Sequence, residues 1–472
     1  MLREKLNWTT QKSESTDAEH RGGMLCSSDE AAVMAVERRK RVVQRKHVGQ
    51  PQWEEPMSQA KPFEINKHDV FNAWRQVKAN RGAHGSDEQT ITEYEGSLKD
   101  NLYKLWNRMS SGSYVPPAIR GVEIPKRDGK MRLLGIPTVS DRIAQTVVRN
   151  LFEKQVEPDF HPDSYAYRRG KSALDAVRVT RRRCWQYNWV LEFDIKGAFD
   201  NIDHELMLKA VRHHTNCRWT LLYIERWLKA PMLMTNGQTV ARDKGTPQGG
   251  VISPLLFNLY MYYTFDHWMK SYYPDVPFVR YADDGLLHCR SEREAIVLQQ
   301  AIGERFLNCH LELHPTKTKI VYCRDANRRG KYINIQFEFL GFVFRGRLAK
   351  SRQGKYFNSF SPAVSRASAK SIHKRMREWK LTRWTNAELS DIASKVNSSL
   401  RGWWNYFGEF YPRALKRVFA HFNTLLVRWV VRKYKRFKGS TSKAKKWLRG
   451  LSEREPNWLF HWQLGLLPAV EQ

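Results

Sequence analysis

The sequence is first narrowed by what it lacks. Its six cysteines, Cys26, Cys184, Cys217, Cys289, Cys309 and Cys323, are scattered, with no CxxC pair. That spacing argues against a zinc finger or a disulfide scaffold, and free thiols fit a reducing cytoplasm. No apolar run reaches the roughly 18 residues of a membrane span, so no membrane partner is expected. The polar N-terminus, MLREKLNWTTQKSESTD, has no signal-peptide core. Acidic residues are scarce: 48 Asp plus Glu stand against 80 Lys plus Arg, a net charge of +32. Such an excess repels itself unless a polyanion neutralises it. Nucleic acid is the expected partner, bound in a salt-dependent way.

With 472 residues, 41% of them hydrophobic, the chain has ample material for several domains. Residues 1–61 lack sustained periodicity and read as a weakly ordered basic extension, with one short helix over 28–45. From Pro62 the pattern tightens. Val70, Trp74 and Val77, then Leu98, Leu102 and Leu105, mark amphipathic helices. GVEIPKRDGKMRLLGIP at 121–137 reads as a hairpin, and a helix follows over 141–156. WVLEFDIKGAFDNID at 189–203 reads as a strand running into a helix. A Gly/Pro loop at 245–250 precedes a long apolar helix over 252–269. PFVRYADDGLLHC at 277–289 is strand, turn, strand. A helix over 292–309 and two short strands, near 318–323 and 335–345, complete an α+β pattern. After about Ser361 the strands stop, and helices rich in Trp, Arg and Lys carry the chain to about Arg449. Gly170-Lys171-Ser172 looks like the end of a P-loop, but Tyr165 stands where that motif needs glycine.

Acidic residues occur in a telling place. In the strand 190–195, side chains alternate, so Leu191, Phe193 and Ile195 face one apolar side while Glu192 and Asp194 face the other. Asp283 and Asp284 adjoin at a hairpin turn flanked by Phe278, Val279, Leu286 and Leu287. Two adjacent carboxylates repel, and a divalent cation relieves that repulsion. If the hairpin lies beside the Asp194 strand, three carboxylates converge. Carboxylate oxygens suit Mg²⁺, which completes its shell with substrate phosphates. Two such ions about 4 Å apart serve in-line phosphoryl displacement.

FDIKGAFDNID, GTPQGGVISPLLFNLY and FVRYADD, in this order, resemble the successive palm motifs of reverse transcriptases. IPKRDGKMRLLGIPTVSDRIAQ, LELHPTKTKIVYC and FEFLGF extend the likeness over roughly 62–345. The resemblance implies a right-hand polymerase, with fingers over 62–190, a palm with an antiparallel sheet over 191–361, and an all-α thumb after it. It implies that Asp194, Asp283 and Asp284 bind two Mg²⁺ ions, with Mn²⁺ as an alternative, and that the Ile195 carbonyl is a further ligand. Phe199 matches the steric gate that selects dNTPs, although a core Phe is the alternative. Gln248 matches the residue supporting the incoming nucleotide, while Gly249 and Gly250 let backbone approach the substrate. Lys126 and Arg132 match the triphosphate clamp. Lys317 matches the acid for the pyrophosphate leaving group. Gly197 and the long N-terminal extension depart from the family pattern without touching the catalytic set.

The TPQGG loop differs from that of diversity-generating enzymes, and no NAxxH or VTG string of the retron type occurs. Instead, SSLRGWWNYFGEFYPRALKRVFAHFNTLLVRWVVRKYKR at 398–436 and PNWLFHWQLG at 456–465 resemble the maturase domain of bacterial group II intron proteins. Residues 401–450 hold 14 Lys/Arg and one acid, Glu409, among interspersed aromatics. Cations can track phosphates while aromatic faces pack helices or stack on bases. The aromatics of the thumb/maturase region, 362–436, are mostly expected in the core. Arg432, Lys433, Lys435, Arg436, Lys438, Lys443, Lys445 and Lys446 are the candidate RNA or DNA contacts, the last four in a basic segment over 437–472. The two cysteine pairs and HNH-type histidines of an endonuclease domain are absent, so insertion is expected to take a primer from elsewhere, such as a replication fork. The resemblance implies intron RNA, an RNA template with DNA primer, target DNA and dNTPs as partners, and a cytoplasmic, nucleoid-associated setting. Two alternatives stay open: an intron-free host enzyme in repair or phage defence, and an RNA-binding splicing factor without polymerase activity.

Overall fold

The computed structural model describes residues 61–125, 131–351 and 353–469. The helix expected over 28–45 and the hairpin turn bearing Lys126 lie outside them. Helix α1 (Lys67–Asn80) starts where the Asn66 side chain accepts from His68 N, and it buries Val70, Ala73, Trp74 and Val77. Helices α2 (Ile91–Gly96) and α3 (Leu98–Ser110) follow, α3 burying Leu102 and Leu105. Strands β1 (Ile119–Pro125) and β2 (Met131–Ile136) form the expected antiparallel pair. Helix α4 (Val139–Val156) packs against α1 and α3. Helix α5 (Ala173–Gln186) opens with a capping box between Ser172 and Asp175. Lys171 donates to the Pro162 carbonyl, so Gly170-Lys171-Ser172 serves as a helix start.

Strand β3 (Trp189–Phe193) is next. No helix continues from it: residues 194–203 form turns, and helix α6 begins at His204 (His204–His214). Gly197, at φ +57°, fits that turn and not a helix. Helix α7 (Arg218–Lys229) leads to β4 (Met232–Leu233) and β5 (Thr239–Val240), which extend the first sheet to the order β2-β1-β4-β5. The apolar helix expected over 252–269 is interrupted. Helix α8 (Ser253–Met261) passes through a π turn (Tyr262–Asp266) into α9 (His267–Tyr272).

Strands β6 (Phe278–Tyr281) and β7 (Asp284–Cys289), helix α10 (Glu292–Asn308) and strand β8 (Lys319–Tyr322) complete a central sheet of order β6-β7-β3-β8. Every pairing in it is antiparallel. Strands β9 (Gln336–Phe339), β10 (Phe342–Lys350) and β11 (Tyr356–Val364) make a third sheet. The sequence pattern missed β11, whose first three residues are exposed and last six buried. That pattern has no period of two.

Helices α11 (Arg366–Glu378), α12 (Leu389–Phe407), α13 (Pro412–Lys433), α14 (Thr441–Arg454) and α15 (Phe460–Gln463) close the chain, as the strand-free pattern predicts. Their core holds Trp403, Phe422, Trp429 and Trp462. Among the described residues, no helix is long and apolar enough to cross a membrane.

Candidate active site

Asp194 follows the last residue of β3, and β3 pairs with β7 so that Phe193 stands opposite Gly285. A Cβ on Gly285 would lie 2.0 Å from the Phe193 ring. Glycine there lets the ring lie flat on β7 and sets Asp194 beside Asp284. Asp284 faces Tyr281 across the hairpin, whose turn uses Ala282 at φ +57°. The three carboxylates sense one another. Burial, then the charge of Asp194, pushes Asp283 up to about 6. Burial, repulsion by Asp283 and Asp194, and a hydrogen bond with Asp194 raise Asp284 well above the usual range. Lys317 Nζ bonds Asp194 Oδ2 at 2.8 Å. Burial opposes the lysine's charge, but the bond to Asp194 and attraction by all three carboxylates raise its pKa.

Among the described residues, no three His, Cys, Asp or Glu side chains have donor atoms already gathered as a cation cage. The donor chemistry nonetheless fits a hard cation. It is all oxygen, part-buried and strained by its own repulsion. An antiparallel bridge joins Ile195 to Leu313 through His314 N to Asp194 O and Lys196 N to Glu312 O. The Ile195 carbonyl therefore points away from that partner strand.

The expected nucleotide-binding residues meet in part. Arg132 Nε bonds Gln248 Oε1, and Gly135 N donates to the Gln248 carbonyl at 2.8 Å. Arg132 also stands close enough to lower the Asp283 pKa against burial. The 245–250 loop is thus tied to β2 next to the carboxylates. Gly249 has φ +114°, and a Cβ there would lie 2.5 Å from the Gly135 carbonyl; one on Gly250 would lie 2.5 Å from Ser253 Oγ. Contact with β2 and α8 already requires these glycines, a reason different from the substrate approach expected of them. Phe199 is 8% exposed and stacks on Phe257, with centroids 4.2 Å apart.

Residues 124–344 match the family model described as reverse transcriptase (RNA-dependent DNA polymerase), and 369–447 match the group II intron, maturase-specific domain. The chain is 30% identical over 327 residues to protein YkfC of Escherichia coli, covering 61% of this chain and 81% of that protein. It belongs to the group II intron-encoded reverse transcriptase and maturase family. The group II intron-encoded protein LtrA of Lactococcus lactis is 34% identical over 193 residues, 41% of this chain. That alignment spans 32% of LtrA. The central sheet is the palm of a reverse transcriptase domain, and such a domain implies dependence on divalent metal.

In the maturase region the candidate cations divide. Arg432, Lys435, Arg436, Lys438, Lys443 and Lys446 are exposed, and Lys445 is half-buried. Lys433 differs. Its side chain is 10% exposed and its ammonium bonds Glu388 at 2.6 Å and the Ala387 carbonyl at 2.8 Å. It joins α13 to the start of α12, so it is withdrawn as an RNA contact. The Arg436 guanidinium lies over Tyr434, Phe437 and Trp447. Trp403, Tyr406, Phe407 and Trp429 are buried, so packing, not base stacking, occupies them.

Sequence reasoning passed over Arg280 and Asp266. Both side chains are fully buried, and Arg280 bonds Asp266 through two nitrogens at 2.7 and 2.6 Å. Arg280 also donates to the Ala282 carbonyl at 3.1 Å and to Asn258 Oδ1 at 3.2 Å. It holds the left-handed turn that carries Asp283 and Asp284. The one available signal was an arginine inside the apolar strand FVRY.

Proposed function

We propose that this chain is an RNA-directed DNA polymerase that extends a DNA primer on an RNA template and also binds group II intron RNA to assist splicing and retrohoming. The meeting of Asp194 with Asp283 and Asp284 carries this reading. These carboxylates, with the Ile195 carbonyl, would hold two Mg²⁺ ions, or Mn²⁺. When bound, the metal supplies charge neutralisation at the attacking 3′-hydroxyl oxygen and the leaving phosphate oxygen. Arg132 and Lys126 steady the dNTP triphosphate. Gln248, oriented by Arg132, supports the sugar. Phe199, fixed by Phe257, bars a 2′-hydroxyl. Lys317, hydrogen-bonded to Asp194 Oδ2, stands where it would protonate the leaving pyrophosphate.

The maturase role follows from the exposed cations at the end of α13 and along α14. They neutralise phosphates of intron RNA, while the ribozyme itself cuts and joins. Target DNA is a further partner of the same surface. The test is primer extension on an RNA template with dNTPs and Mg²⁺, run beside splicing of the RNA flanking the gene. Extension with faster splicing is the expected result. Extension without any splicing effect would leave the polymerase and remove the maturase assignment.

A further inference from the structure

A second cationic face stands away from the carboxylates. It comprises the loop 324–335, between β8 and β9, and the far end of the β10–β11 hairpin. The two segments are joined: Ala326 N donates to the Asn358 carbonyl at 2.9 Å, and a Cβ on Gly346 would lie 3.0 Å from the Arg324 carbonyl. Their one acid, Asp325, is held by Arg328. Arg324, Arg329, Lys331, Arg345, Lys350 and Lys355 are exposed, with no acid of these segments to neutralise them.

Large apolar side chains are exposed among those charges. Ile333 is 99% exposed, Tyr356 63% and Leu348 57%, with Tyr332 and Phe357 also in the open. Side chains of this size are not left in water without a partner at small cost. Tyr332 is propped by Trp189 and Tyr322, with centroids 4.5 and 4.6 Å away, and Lys350 lies 5.6 Å from the Tyr356 ring centroid. Aromatic faces between exposed cations suit unpaired bases with their phosphates.

Topology separates this face from the carboxylates. Trp189 and Tyr322 pair at the end of the palm sheet opposite Asp194. Strand β10 then runs from Val343, opposite Glu338, to Lys350. At ~3.4 Å per residue those seven steps carry the tip about 24 Å along the strand.

We infer that the hairpin tip and the loop 324–335 form an RNA-docking surface that takes unpaired nucleotides of a structured RNA, apart from the cleft that holds template and primer. The inference rests on the proposed RNA-binding function for the identity of the polyanion.

The test uses the full chain and two double variants, K350E/K355E and Y356A/F357A. The probe is a labelled RNA hairpin with an unpaired loop of about eight nucleotides, and its fully paired stem is the control. All four side chains are exposed, so thermal unfolding should not move. Each variant should weaken loop binding roughly tenfold while sparing the stem, and K350E/K355E should lower the salt slope by about two. Extension of a short template–primer should stay unchanged. Unchanged loop affinity would overturn the inference. So would a parallel loss of short-template extension, which would place the face in the template path. A change in sedimentation with Y356A/F357A at constant RNA affinity would make it a protein contact and also overturn it. Should wild-type protein bind the loop but extend no primer, the polymerase reading fails and the surface stands.

Discussion

The palm and the C-terminal helices handle charge in opposite ways. The palm takes charge inside: Arg280 and Asp266 have no exposed surface, and Asp283 and Asp284 are half-buried at a tight turn. The C-terminal helices take aromatics inside and leave cations outside, with Trp429 and Trp462 buried and Lys438, Lys443 and Lys446 exposed. Buried charge must be compensated by a partner at a fixed place, which is what phosphoryl chemistry needs. Surface charge needs only a polyanion nearby. A charge substitution should therefore act on rate or stability in the palm and on RNA affinity at the C-terminal surface.

The largest effect belongs to the palm. Asp283→Ala should lower single-turnover primer extension by at least about a thousandfold, as expected for losing a preorganised electrostatic group. Filter binding of intron RNA should be unchanged, because surface cations carry it. Equal losses in both assays would erase the contrast. Next comes Arg280→Met. Leaving Asp266 charged and alone should cost about 3–5 kcal/mol in urea denaturation. The double variant D266L/R280M should recover most of that stability yet extend slowly, since nothing then holds the Ala282 carbonyl. Full recovery of rate would reduce the pair to packing.

In the C-terminal helices, Trp429→Ala should cost roughly 3–5 kcal/mol of stability. K438E/K443E should leave the melting temperature in place and weaken RNA binding with a salt slope smaller by about two. RNA affinity that falls with Trp429→Ala at full folding would mean that an aromatic here touches RNA.

A smaller effect concerns pH. Asp283 holds its proton more tightly folded than unfolded, so its neutral form adds stability in acid. That contribution is lost as pH rises through about 6. Metal must displace the proton. The rise in melting temperature on adding Mg²⁺ should be slight near pH 5 and reach a few degrees above about pH 6. Asp283→Asn should flatten the difference, and a Mg²⁺ effect independent of pH would contradict it.

Much of this contrast was legible in the sequence. Alternation along 190–195 put Asp194 opposite a buried apolar face, and the hairpin around Asp283 and Asp284 was plain from its flanking apolar runs. The aromatics of the C-terminal helices were expected mostly in the core, and Trp403, Tyr406, Phe407 and Trp429 are buried there. What stayed hidden depends on distant pairing. Lys433 looked like its basic neighbours until the fold brought Glu388, 45 residues away, to its ammonium. Arg280 meets Asp266, the last residue of a π turn, across 14 residues of sequence. Gly249 read as room for substrate, whereas the Gly135 carbonyl fills that space.

Replacing Mg²⁺ with Fe²⁺ in the protein bound to template and primer, then mapping where hydroxyl radicals cut the chain, locates the metal directly. Cuts should cluster beside Asp194 and beside Asp283 and Asp284, and Asp283→Ala should abolish both clusters. A chain cut elsewhere, or cut beside only one of the two segments, would contradict a shared metal site.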